Sequence, residues 1–66
     1  MKRRELLNTL AKVAKTNGTT FDFVREGGGH SVYRINGTNI IIPRHNEINE
    51  RTAKSIIKQA EKEAQK

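Results

Sequence analysis

The chain has no cysteine, no tryptophan, one proline and one tyrosine. Without cysteine there are no disulfide staples and no thiolate metal ligands. That composition fits a reducing compartment, and a cytoplasmic protein is the expectation. No run of about 18 apolar residues is present, so no transmembrane helix and no membrane partner are expected. Met1-Lys2-Arg3-Arg4 is positive like the first segment of a signal peptide, but Glu5 to Lys12 is too polar for the apolar segment that would have to follow. Aromatic residues make up 5% of the chain, and no aromatic motif of the kind that turns a sheet into a base-stacking platform is present.

What remains is short and basic. A chain of 66 residues allows one domain, residues 1–66, which buries roughly 60% of its unfolded surface and is therefore marginally stable. Nearly every apolar side chain is needed in the core, and few are left to line a deep pocket. Thirteen Lys and Arg against seven Asp and Glu give a net charge of +6. On so small a body this creates a field that attracts polyanions, although small soluble domains also carry charges of this size.

The apolar spacing predicts five elements. Leu6, Leu7, Leu10, Val13 and Ala14 recur at three- and four-residue intervals, an amphipathic helix that Asn17-Gly18 stops. Thr19 to Glu26 reads as a strand, with Phe21 and Phe23 on one face as core residues and Asp22 on the other. Gly27-Gly28-Gly29 breaks the chain, and His30 follows it into a second strand ending at Ile35. Asn36-Gly37 is a type I′ hairpin signal. Thr38 to Ile42 is a third strand, whose isoleucine run suggests cover on both faces or a central position, and Pro43 ends it. Ala53, Ile56, Ile57, Ala60 and Ala64 mark a last helix, with Asn49 or Asn46 as its cap. The order α-β-β-β-α predicts an α+β fold of two layers: a three-stranded antiparallel sheet with both helices on one face.

His30 leads the candidates for chemistry. An imidazole titrates near pH 6.5, which suits proton transfer at neutral pH. The glycines before it leave room for a phosphate, and the amides around Gly28 and Gly29 are positioned to donate to an anionic oxygen. A surface residue at a strand end is the plainer reading. His45, in Pro43-Arg44-His45-Asn46, is either a phosphate contact, the second member of an acid–base pair, or a loop residue. Arg34 and Arg44 are the best phosphate clamps, because the planar guanidinium fork matches phosphate bidentately. Lys2, Arg3 and Arg4 lead the first helix, and Arg51, Lys54, Lys58 and Lys62 form a basic face on the last. Tyr33 either stacks on a base or packs half-buried in the sheet. His30 and His45 are the only imidazoles, and no HExxH motif accompanies them, so no metal and no other cofactor is expected.

The stretch Arg25-Glu26-Gly27-Gly28-Gly29-His30-Ser31-Val32-Tyr33-Arg34 resembles the HicA toxins of bacterial and phage toxin–antitoxin pairs, which are messenger-RNA interferases. Members carry a glycine-rich turn, the catalytic histidine, two variable positions and an aromatic residue. Ile42-Pro43-Arg44-His45 resembles their strand-end segment, and Ser55-Ile56-Ile57-Lys58-Gln59-Ala60 the close of their last helix. Many members have Ser before the histidine and a second His after it, where this chain has Gly29 and Ser31. The resemblance implies a double-stranded-RNA-binding-domain-like fold, metal-independent endoribonuclease activity on mRNA with His30 as the catalytic residue, and neutralisation by a HicB-type antitoxin. The alternative is a non-catalytic RNA-binding module of the same fold.

Overall fold

A computed structural model describes residues 1–65 and contains α1 (Arg3–Thr16), β1 (Phe21–Glu26), β2 (His30–Ile35), β3 (Thr38–Pro43) and α2 (Glu50–Ala64). The strands form one antiparallel sheet in the order β1-β2-β3. Both helices lie on one face of it, giving the expected two-layer α+β architecture. Among the described residues no helix is long and apolar enough to cross a membrane.

Each end of α1 has a local cause. The Arg3 N–H donates to the Asn46 carbonyl at 2.8 Å, and the Ile48 N–H to the Met1 carbonyl at 2.7 Å. The chain before α1 is thus tied to the segment before α2. At the other end the Thr19 N–H reaches the Ala14 carbonyl at 2.9 Å and the Gly18 N–H the Lys15 carbonyl at 3.1 Å. This pair of bonds satisfies the orphan carbonyls of the last turn. It also holds Thr19 in the helix cap, so β1 starts at Phe21 rather than at Thr19. For α2 the cap is Asn49, whose side chain accepts from the Arg51 N–H at 2.8 Å. Asn46 lies four residues before the helix, and Ile48 is buried outside the helix rather than within it.

The core lies between the helices and the sheet. Leu6, Leu10 and Ala14 of α1 meet Ala53, Ile56, Ala60 and Ala64 of α2 over Ile35, Ile40 and Ile42. Asn36 and Gly37 both take positive φ, at 48° and 84°. These are the angles of a type I′ turn, whose twist matches the flanking strands. Two hairpins in succession make β2 the central strand and β3 an edge. The isoleucine run therefore alternates: Ile40 and Ile42 are fully buried, while Ile41 is 50% exposed. Phe23 departs from expectation in the same way. It shares the helix-side face with Phe21, but on the outer strand the helices do not cover it, and it is 55% exposed with its ring edge-on to Tyr33.

Candidate active site on the open sheet face

A strand alternates its side chains, so β2 divides the candidate residues between two faces. Ser31, Tyr33 and Ile35 point toward the helices. His30, Val32 and Arg34 point away, onto a sheet face that no helix covers. Tyr33 stacks on Phe21 with ring centroids 4.7 Å apart. It is half-buried sheet packing, and it does not share a face with His30.

The glycine turn seats the imidazole. The Gly27 N–H donates to the His30 carbonyl at 2.8 Å, closing the hairpin across Gly28 and Gly29. Gly29 has φ +74°, the left-handed region that a side chain disfavours. Gly27 has a different role. A Cβ placed on it would stand 2.7 Å from Nε2 of His30 and about as close to its carbon neighbours, at 3.1 and 3.2 Å. The ring thus lies flat against bare backbone, in the space a side chain would fill. His30 is half-buried, and among the described residues its ring has no hydrogen-bond or ion-pair partner.

Beneath the turn lies a polar cluster that sequence reading did not find. Ser31, adjacent to His30, is fully buried. Its hydroxyl donates to the Glu26 carboxylate in a short bond and accepts from Arg3 Nη2 at 2.9 Å. Arg3 Nε donates to the Pro43 carbonyl at 3.0 Å, and Pro43 is the register partner of His30. Arg44 Nη1 stands 3.9 Å from Glu26. Arg3, which the sequence groups with the solvent-facing cations of the N-terminus, is turned inward and ties the start of α1 to the strand ends around His30. Such a satisfied cluster holds those strand ends in one arrangement.

Arg25, a sheet cation that the sequence ranks behind Arg34 and Arg44 as a phosphate clamp, has its place set by strand pairing. Phe23 pairs with Tyr33 but Arg25 pairs with Val32, and this register shift is a β-bulge at Val24. Simple alternation from Phe21 and Phe23 would send Arg25 to the helix side. The bulge adds one residue and re-aims the strand, placing Arg25 on the face of His30 and Glu26 beside Ser31. Arg34 shares the open face too, its Nε donating to Asn39 Oδ1 at 3.2 Å. Four residues of strand separate it from His30, about 13 Å. Arg44 and His45 follow Pro43 past the end of β3, both exposed. Among the described residues no three His, Cys, Asp or Glu side chains form a group able to hold a metal.

A small α+β domain with one free sheet face and an imidazole seated on a glycine turn at its edge is therefore the class of protein in hand. The model of the family described as the HicA toxin of bacterial toxin–antitoxin matches residues 7–61. The chain belongs to that family, and so is the toxin member of a pair whose other member is a cognate antitoxin. No curated protein and no solved structure matches it.

Proposed function

We propose that this toxin is an endoribonuclease that cleaves messenger RNA in the cytoplasm, with the His30 imidazole as its proton-transfer group. The reading is carried by that ring, half-open to solvent, lying against Gly27 with no partner for its nitrogens among the described residues. His30 takes the proton of a ribose 2′-hydroxyl. The 2′ oxygen attacks the adjacent phosphorus, the bond from phosphorus to the 5′ oxygen breaks, and a proton is delivered to the departing oxygen. The products are a 2′,3′-cyclic phosphate and a 5′-hydroxyl. His45, beyond the strand partner of His30, or a water molecule supplies that last proton. Tyr33, on the opposite face, has no part in it. Arg25 is the strand cation nearest the ring on the same face, and it offsets the charge that gathers on the phosphate oxygens. The antitoxin is of the HicB type.

Two results are expected. Cleavage of mixed-sequence RNA continues in EDTA and leaves cyclic phosphate ends, and an RNA with 2′-deoxyribose at the scission point survives. Cleavage that stops in EDTA, or products ending in a 3′-hydroxyl, would contradict the mechanism.

Gly27→Ala tests the seat of the ring. Its backbone φ is not in the left-handed region, so the added methyl perturbs the imidazole and not the turn. Cleavage is expected to fall at least about tenfold, because small misplacements of a catalytic group are costly. The melting temperature should stay within about 5 °C of wild type.

A further inference from the structure

The open face carries apolar surface that a chain with so few apolar residues would be expected to bury. Val24 is 37% exposed and Ile41 50%. Val32 sits between them on the central strand. It is 2% exposed although it points away from the helices and stands outside the core cluster. Register explains its cover: Arg25 and Ile41 flank it on the two neighbouring strands. The bulge brings both Val24 and Arg25 opposite Val32. The result is an aliphatic strip, Val24–Val32–Ile41, running across all three strands.

The strip has chemistry on both sides. The His30 row lies two strand residues away in one direction, about 6.6 Å, comparable with the distance between sugar and base within one nucleotide. The Arg34 row lies as far in the other direction. Arg34 is exposed and has its Nε on Asn39, and among the described residues its terminal nitrogens make no hydrogen bond or ion pair. Asp22, the only carboxylate among the described strand residues of this face, accepts from the Thr20 hydroxyl at 2.7 Å. The aromatic rings all lie on the helix side.

We propose that this strip is the floor on which the toxin binds single-stranded RNA. One unpaired base lies on the exposed Ile41 side chain, over the covered Val32, its ribose reaches His30, and flanking phosphates meet Arg25 and Arg34. The inference rests on the RNA-cleaving role proposed above and specifies the form of the substrate. In a duplex the bases are stacked inside and cannot lie on an aliphatic floor. Cationic rims around an apolar strip complement a single strand, whose phosphates and exposed base faces alternate.

The test measures affinity apart from cleavage, using a short mixed-sequence oligoribonucleotide with every 2′-hydroxyl methylated, which cannot be cut by 2′ attack. Ile41→Gln removes the exposed aliphatic group without adding charge. It should weaken binding of the single strand at least about fivefold, the loss expected when roughly one methylene-equivalent or more of contact is removed. Phe23→Gln, an equally exposed apolar position on the opposite face, should leave affinity within about twofold, and a blunt duplex should bind more weakly than the single strand. Circular dichroism confirms that both variants fold. Unchanged affinity in Ile41→Gln, an equal loss in Phe23→Gln, or tighter duplex binding would overturn the proposal. So would a variant that loses only its hold on the antitoxin, which would make the strip a protein-docking surface. None of these readings depends on His30, so failure of the catalytic role is detected separately.

Discussion

His30→Ala is expected to lose RNA cleavage by about 100- to 10,000-fold, the usual contribution of a positioned acid or base, and its expression should no longer arrest growth. The fold should hardly notice. The ring is half-buried, bonded to no described partner, and packed on a glycine, so its removal leaves no buried polar group unsatisfied. Substitutions of that kind usually stay within about 0.5 kcal/mol. Affinity for an uncleavable RNA should also change little, since the binding proposed above rests on the cations and the apolar strip. The combination is diagnostic: a variant that is folded, binds RNA and is silent. A non-catalytic RNA-binding module would instead show no nuclease activity in either protein, with growth arrest unaffected by the substitution.

The second large effect is on stability. Leu10 is fully buried in α1, within the core cluster. Leu10→Ala removes its contacts and leaves a cavity, at a cost of about 2–5 kcal/mol. A chain of this length has only roughly 3–10 kcal/mol of stability in total, so the substitution consumes a large share of it. Thermal unfolding followed by circular dichroism should show a drop of at least about 10 °C, and the protein should be partly unfolded at growth temperature. A drop of less than about 3 °C would mean that α1 does not pack on the sheet as described. Loss of toxicity in this variant would come from loss of fold, unlike the loss in His30→Ala.

The elements set by local rules were legible. Asn17-Gly18 stops α1 and Asn36-Gly37 makes the β2–β3 turn, because those residues take the required backbone angles at little cost. The same holds for His30 emerging from three glycines onto a strand. What escaped was set by pairing. Whether Arg25 faces the helices or the open side depends on the register of β1 against β2, and the bulge at Val24 that decides it has no signature in Phe23-Val24-Arg25. Arg3 reads as one of several N-terminal cations until the fold brings Ser31 and the Pro43 carbonyl beside it. Phe23 and the isoleucine run misled for a related reason. Apolar character reports a tendency toward burial, but two helices cover only one face of three strands, and the outer strands are covered incompletely. Tyr33 was within view as packing, yet its separation from His30 follows from strand alternation, three positions placing the two rings on opposite faces.

The most direct test is the single-turnover cleavage rate of one defined RNA, in EDTA, by wild-type protein and by His30→Ala at matched, saturating concentrations. A fall of about 100-fold or more, with cyclic phosphate ends on the wild-type products, is the predicted result. Equal rates for the two proteins would place the chemistry on some other residue and contradict the account.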